Sequence, residues 1–296
     1  MLTISYNGKD ITEAVSVNLC LVERSLCPKS SNATLVFNDA EKNWPTWGAK
    51  IGDRVSLAFD GENLGNFDVD SMSMSRGTWA FELTSGTKQR ETTFSGVFKN
   101  SSLKDTLRTL TSALNLDAVF FGDFSGEVSW MTPENQRVYD ILENLGRLFS
   151  FVFLQDAGKL RFITFDYLRN TDPQPWELES QDEYAFSMTR KLGRLTLSNG
   201  KAKAEAEDPE GTGAKSETFW GVLDLGKAAE NALAAENMKR QGGQRIVTKH
   251  KETPLHYPGQ VLEPGNTGET FQGRYLVSSV LLDVGNRKET LTFWRL

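Results

Sequence analysis

The sequence predicts a mainly β protein in which two β modules flank a small α/β unit. Short runs of alternating apolar and polar residues, separated by turn residues, fill both ends of the 296-residue chain. Leucines at helical spacing replace that alternation in the middle of the chain. A stretch at the C-terminal end also repeats the pattern of a stretch near the N-terminal end. We therefore expect two related β modules within one polypeptide.

The repeated stretch is a predicted hairpin that starts with a glycine. It covers residues 65–83 in the first copy and 273–296 in the second. When the two starting glycines are aligned, Phe67 lies opposite Tyr275. Aromatic and then β-branched residues follow at period two in both copies, which indicates half-buried strands. A second match, Gly-Asp-Arg-Val at residues 52–55 and Gly-Gln-Val-Leu at residues 259–262, extends the duplication upstream.

The first β module is predicted to span residues 1–87. Its turns carry Asn-Gly, Asn-Asp, Asp-Gly and Arg-Gly pairs, which favour a barrel or sandwich of short strands. The aromatic loop that begins at Trp44 is interpreted as a plug or lid of this module, in preference to a docking surface. The predicted strands are residues 2–6, 14–22, 33–37, 54–59, 65–73 and 78–84.

The α/β unit is predicted to span residues 88–168. Leucines that follow Ser101 and Ser102 at steps of four, three and four predict a helix, which either serine could cap. A second helix is predicted to begin at Thr132, with Pro133 at its first position. An almost wholly apolar arm, a turn at residues 155–158 and a further arm then predict a hairpin buried on both faces.

The second β module is predicted to span residues 169–296 and to begin with a proline-containing linker. It contains an insertion at about residues 200–242 that the first module lacks. Residues 201–217 are polar and predict a strand end that leads into an exposed, mobile loop. The alanine-rich residues 226–241 predict a helix with a narrow apolar stripe, which we expect on a surface or against a neighbouring subunit.

Composition excludes several classes of function. The net charge of −6 argues against nucleic acid held by a basic face. No run of about 18 apolar residues predicts a membrane span, and the first residues lack the pattern of a secretory signal. Cys20 and Cys27 are expected to be reduced thiols rather than a lone disulfide. His250 and His256 are the only histidines, so neither a metal site nor a cofactor is predicted.

No catalytic motif predicts an enzyme or a catalytic residue. Phosphate loops, nucleophile elbows and zinc-binding helix motifs are missing from the sequence. An acidic cluster after the linker could supply a glycosidase pair, but a solvated face is the favoured interpretation. The seven tryptophans could stack on sugars, although core and interface positions are favoured. The cluster consists of Glu177, Glu179, Asp182 and Glu183.

The order of these motifs resembles the baseplate hub of phage tails and related contractile injection systems. This family includes late control protein D and the hub part of type VI secretion spike proteins. The resemblance covers nearly the whole chain, and a turn that begins at Asp208 is similar as well. It is carried by Gly-Asp-Arg-Val-Ser-Leu-Ala-Phe at residues 52–59 with residues 64–70, by residues 98–110, and by residues 258–261 with 271–277 and 289–293.

The resemblance implies two tube-type β-barrel domains per chain and a homotrimer with a pseudo-sixfold ring. Such a hub would adapt a hexameric tail tube to a trimeric central spike and initiate tube assembly. Its implied partners are the tail tube protein, a separate spike protein, other baseplate proteins and the tape measure. DNA would be passing cargo only, and an acidic lumen would suit its passage. The implied location is the tail baseplate of a virion or tailocin, assembled in the host bacterial cytoplasm.

The chain ends at Leu296, after the second module, so the resemblance implies that the spike is on another polypeptide.

The resemblance also indicates which residues could take part in assembly. For Phe67 and Tyr275 a core role is favoured over an interface role. The alternative functions are a tail-associated carbohydrate- or receptor-binding module and, next, a peptidoglycan hydrolase. The candidate assembly residues are Gly52, Asp53, Gly65, Phe67, Gly259, Gly273 and Tyr275.

Overall fold

The computed structural model describes most of the chain and confirms the mainly β fold with an α/β unit between two β regions. The described residues are 1–26, 31–40, 42–131, 135–156, 158–177, 183–185, 189–218, 225–248, 255–265 and 272–296.

The first β module consists of strands with two short helices, α1 (Asn43–Trp47) and α2 (Thr87–Arg90). Every strand predicted in this module is present, and several extend beyond their predicted limits. The strands are β1 (Leu2–Tyr6), β2 (Lys9–Asp10), β3 (Ser16–Ser25), β4 (Asn32–Asn38), β5 (Arg54–Phe59), β6 (Glu62–Ser75) and β7 (Thr78–Thr84).

The α/β unit packs its helices on a small sheet in which β10 runs parallel to β14 and β13 runs antiparallel to it. Its strands are β8 (Thr93–Phe94), β9 (Val97–Ser102), β10 (Asp117–Phe121), β11 (Glu127–Met131), β12 (Gln136–Arg137), β13 (Phe151–Asp156) and β14 (Lys159–Thr164). Its helices are α3 (Leu103–Ala113), α4 (Val138–Phe149) and α5 (Phe165–Asn170).

The second β module contains further strands and one long helix, α6 (Leu225–Arg240). Its strands are β15 (Gln174–Glu177), β16 (Glu183–Ala185), β17 (Leu192–Ser198), β18 (Lys203–Glu207), β19 (Thr212–Thr218), β20 (Gly243–Thr248), β21 (Val261–Gly265), β22 (Tyr275–Asp283) and β23 (Lys288–Arg295). The domain boundaries proposed from the sequence stay predictions.

One sheet joins the two β modules. Among the described residues it contains 13 strands, in the order β16-β20-β23-β22-β3-β4-β7-β6-β5-β1-β2, with β21 and β15 attached beside β22. The junction is the antiparallel pair of β22 and β3, in which Val280 faces Arg24 and Leu282 faces Val22. No ladder between described strands closes either module into a complete barrel.

The aromatic loop plugs the first module, as its sequence indicates. Trp44 lies on α1 and is only 2% exposed. Its ring centroid lies 4.8 Å from that of Phe37 and 4.6 Å from that of Phe81. Because these rings belong to neighbouring strands β4 and β7, Trp44 packs against this pair of strands within the hydrophobic core of the first module.

The first predicted helix is confirmed and the start of the second was wrong. The Ser102 hydroxyl accepts the Asp105 N–H at 3.1 Å and caps α3. Helix α4 begins at Val138, because Gln136 and Arg137 pair with β8 as strand β12. Thr132 and Pro133, where we predicted the start, lie outside the described residues.

The structure differs from two predictions for the insertion. Residues 201–217 hold two strands rather than one strand end and a mobile loop, since β18 and β19 flank β17 in a separate sheet. Helix α6 has a wider buried face than its predicted apolar stripe, because Ala228 and Ala232 are buried beside Ala229. The Asn237 side chain accepts the Leu192 N–H at 2.7 Å and donates to the Leu192 carbonyl at 3.1 Å, which fixes α6 to β17. Alanine permits this close approach while contributing little to an apolar pattern.

Cys20 is a buried free thiol whose burial, with the nearby Asp283 carboxylate, raises its pKa to about 12. Cys27 lies outside the described residues, so the state of the pair stays a prediction. No helix within the described part of the chain has the length and apolar character needed to cross a membrane.

Replacing Phe67 by alanine should lower the free energy of unfolding by roughly 3–5 kcal/mol, because this ring is 1% exposed and its loss leaves a cavity. Urea denaturation of the purified chain measures the change. Met74→Ala is the control on the same strand, since Met74 is 64% exposed. Similar losses for both variants would contradict the assignment of Phe67 to the core.

Candidate assembly site

The first repeated motif forms a tight corner at the start of β5. We call Gly52 and Asp53, with their partner on β6, the first corner. The Gly52 N–H donates to the Val69 carbonyl at 2.8 Å, and the Val69 N–H donates to the Asp53 carbonyl at 2.8 Å. Gly52 has φ +87, a conformation that glycine adopts without strain.

The second copy forms the same hydrogen bonds. We call Gly259 and Gln260, with their partner on β22, the second corner. The Gly259 N–H donates to the Val277 carbonyl at 2.9 Å, and the Val277 N–H donates to the Gln260 carbonyl at 2.9 Å. Gly259 has φ +92, close to the value at Gly52. The sequence match therefore corresponds to one backbone geometry present twice.

The two hairpins also share an irregularity. The register of β6 with β7 shifts between Val69 and Ser71, and that of β22 with β23 shifts between Val277 and Ser279. These positions coincide when the two hairpins are aligned. A β-bulge twists and redirects a strand, so both copies bend at the same point. The duplication thus includes a turn, a strand pair and a bulge.

In each corner a side-chain oxygen accepts a hydrogen bond from a backbone N–H three residues earlier in the chain. The Asp53 carboxylate accepts the Lys50 N–H at 2.9 Å and also accepts the Tyr6 hydroxyl. In the second corner, the Gln260 side-chain oxygen accepts the Tyr257 N–H at 2.9 Å. The backbone turn is therefore supported in both copies, by a carboxylate in one and by an amide in the other.

The environment of Asp53 shifts the pKa values of two groups. Burial alone would raise the pKa of Asp53, but hydrogen bonds from Tyr6, Asn7 and Lys50 outweigh it and leave that pKa below its ordinary value. Burial and the adjacent Asp53 carboxylate raise the pKa of Tyr6. The ionised carboxylate therefore stabilises the first corner.

The remaining candidate residues lie in the two hairpins. Phe67 and Tyr275 are buried at equivalent positions, with exposures of 1% and 2%. Gly65 has φ +144, and a Cβ atom there would lie 2.9 Å from the Phe67 ring, so only glycine permits this packing. Gly273 has φ +122 but more space, since its nearest neighbour would be Arg295 at 3.6 Å. A contribution of these residues to assembly stays a prediction.

Three of the candidate residues also line one cleft. Gly65, Phe67 and Gly259 contribute to the walls of a cavity of about 670 Å³. Its other walls come from the α/β unit, including Leu154 and Arg161. Sequence patterns could not identify this cleft, because its walls are distant in the chain and meet only through tertiary packing.

The acidic cluster and the two histidines do not form a catalytic site among the described residues. Of the acidic cluster after the linker, Glu179 and Asp182 lie outside the described residues, as does His250, while Glu177 and Glu183 lie on β15 and β16. The other histidine, His256, has its Nδ1 atom 2.8 Å from Oε2 of the fully buried Glu289, a pairing within the core. No group of three or more potential metal ligands occurs in the part of the chain that the structure describes.

Replacing Asp53 by asparagine should lower the free energy of unfolding by about 1–3 kcal/mol at pH 7, because the buried Tyr6 hydroxyl and the Lys50 N–H lose their anionic acceptor. The pKa of Asp53 is lowered in the folded state, so its contribution is complete above the unfolded pKa of about 4 and disappears as the pH falls through the folded value. The difference between wild type and variant should shrink accordingly, as measured by urea denaturation from pH 7 to pH 3. The control is Asp70→Asn, at an exposed position on β6. Parallel pH profiles for wild type and Asp53→Asn would contradict the role of the carboxylate.

No protein-family model matches this sequence, and no curated protein matches it. Solved structures do match. The 43 kDa tail protein of prophage MuSo2 from Shewanella oneidensis is 15% identical with a TM-score of 0.71, over 99% of this chain and 96% of that one. A tail protein from Neisseria meningitidis is 12% identical with a TM-score of 0.74, over the same shares of the two chains.

A third match comes from a secretion machine. A component of the E. coli type VI secretion system, which exhibits structural similarity to bacteriophage tail proteins, is 10% identical with a TM-score of 0.57. The alignment covers 99% of this chain and 76% of that protein. Identities this low establish the fold alone. The predicted resemblance is confirmed at that level: this chain has the fold of phage tail proteins and of their type VI secretion counterpart.

Proposed function

We propose that this chain is the structural baseplate hub of a phage tail or phage-like injection particle. It acts as a homotrimer that adapts a hexameric tail tube to a trimeric central spike, and it initiates assembly of the tube. The observation that carries the proposal is the backbone geometry of the corner, which is present twice in one chain. Three chains with two corners each present six similar surfaces under threefold symmetry.

The junction between the β modules supports this arrangement. Strands β22 and β3 pair within one chain, so two modules of this kind can stand side by side in a continuous sheet. The same mode of contact between chains would extend the sheet around a ring. The domain limits in this proposal are residues 1–87, 88–168 and 169–296, with the insertion at about 200–242.

The proposed role is structural and not enzymatic. The hub would contact the tail tube protein, other baseplate proteins and the tape measure, and DNA would pass without being held. The net charge of −6 supports passage without phosphate contacts. The proposed location is the tail of the particle, which assembles in the cytoplasm of the host bacterium.

The purified chain should assemble into a trimer, which is visible as a threefold ring with an axial hole. Native mass spectrometry measures the number of chains, and negative-stain images show the symmetry. Both measurements should be repeated over a range of protein concentrations, because assembly depends on mass action. A chain that stays monomeric throughout this range would contradict the proposal.

A pair of glycine substitutions tests the corner as an assembly surface. Gly52 and Gly61 have φ values of +87 and +88, and a Cβ atom at either would meet nothing within 4 Å. Gly52→Gln and Gly61→Gln should therefore cost similar stability, about 1 kcal/mol each. Only Gly52→Gln should reduce the fraction of trimer, because its side chain projects from the corner. If both variants have the same stability and form the same fraction of trimer, Gly52 does not lie in the interface.

A further inference from the structure

We propose that the cleft between the β modules and the α/β unit binds a short acidic peptide segment of a partner protein. This inference concerns the single chain and does not depend on the trimer. The cleft has a volume of about 670 Å³, within the range of roughly 300–1,000 Å³ typical of ligand sites. Phe67, Leu154 and Ile163 provide apolar surface in its lining.

Side-chain amides in the polar wall of the cleft present hydrogen-bond donors. The Asn63 side-chain oxygen accepts the Gly65 N–H at 2.9 Å, and that of Gln260 accepts the Tyr257 N–H at 2.9 Å. Each bond to a backbone N–H fixes the orientation of the amide. The NH₂ groups of Asn63 and Gln260 then have no partner among the described residues.

The side-chain oxygens of two further amides in the lining are also occupied by hydrogen bonds. The side-chain oxygen of Asn66 accepts the Ser56 hydroxyl at 2.6 Å, and that of Gln155 accepts the Tyr139 hydroxyl at 2.5 Å. Their NH₂ groups likewise have no partner in the described part of the chain. The wall therefore suits a ligand rich in acceptors, such as backbone carbonyls and carboxylates.

A buried arginine lies in the same wall. Arg24 is 7% exposed and lies over the Tyr257 ring, 4.2 Å from its centroid. Its Nη2 atom donates to the His256 carbonyl at 2.6 Å, while Nε and Nη1 have no acceptor among the described residues. The nearby Glu62 carboxylate accepts the Tyr257 hydroxyl at 2.5 Å. Arg24 forms no ion pair among the described residues, and a buried cation of this kind favours the arrival of an anionic group.

Two more arginines complete the positive lining. Arg161 pairs with Asp156 at 2.7 Å, but both side chains are more than 40% exposed, so this pair is weak. Arg90, at the end of α2, has no ion-pair partner in the described part of the chain. Three arginines and one carboxylate thus line the cleft of a chain whose net charge is −6.

These features favour a peptide over a nucleic acid. Apolar surface in the lining accommodates side chains between carboxylates, and the amide donors match peptide carbonyls. A polyanion would instead need an extended basic surface, and the negative charge of the whole chain would repel it. A short segment brings a few carboxylates to the arginines and places little charge elsewhere.

The test measures fluorescence anisotropy of a labelled peptide of alternating glutamate and leucine, titrated with the full chain. We expect saturable binding, which Arg90→Gln should weaken by about tenfold, because the variant loses a charge-assisted hydrogen bond to the peptide. Arg161→Gln, on a different element, should weaken it less, because Asp156 already neutralises that guanidinium in part. Arg76→Gln should leave it unchanged, since Arg76 is exposed at the β6–β7 turn.

Two probes and one control measurement complete the test. A peptide with glutamine in place of glutamate should bind at least tenfold more weakly, and a thymidine oligonucleotide should not compete. Equal binding of the glutamine peptide, equal effects of Arg90→Gln and Arg76→Gln, effective competition by the oligonucleotide, or no saturable binding would each overturn the proposal. Native mass spectrometry of the same samples reports the oligomeric state, so failure of the cleft proposal is distinguishable from failure of the hub proposal.

Discussion

The pairing of β22 with β3 is the constraint on which the rest of the structure depends. One edge of β22 carries β23, and the other carries β21 along its first residues and β3 along its last. Because buried strands need partners for their backbone groups, this division of one edge joins the two modules. It also brings Leu282 of β22 and Leu255 into the hydrophobic core of the first module. The two modules therefore belong to one chain, share one sheet and share part of one hydrophobic core.

Backbone hydrogen bonds rather than particular side chains preserve the duplicated geometry. Both corners keep the glycine with positive φ and the same pair of bonds to the facing strand. Asp53 and Gln260 support equivalent turns although only one of them is charged. Phe67 and Tyr275 fill equivalent buried positions. Side chains were thus free to diverge wherever the backbone already determined the shape, which explains the loose sequence match between the copies.

The errors of sequence interpretation share one cause, which is that tertiary partners override local preference. A proline after a capping residue predicts a helix start, yet strand β12 pairs with β8 before α4 begins. Polar residues predict a loop in the insertion, yet β18 and β19 gain their hydrogen bonds from β17. Helix α6 has a weak apolar pattern because alanines make its contacts. In each case the deciding partner is distant in the sequence.

Local chemistry in the sequence determined the strands of the first module, the capped helix α3, the Trp44 plug and the existence of two related hairpins. Those features depend on alternation, turn residues and caps, which act over a few residues. Only the tertiary structure decided that β22 joins β3, that the alanine face of α6 is buried, and that Arg24, Arg90 and Arg161 line a common cleft. Such features depend on contacts between residues far apart in the chain, and no local pattern encodes which distant surfaces will meet.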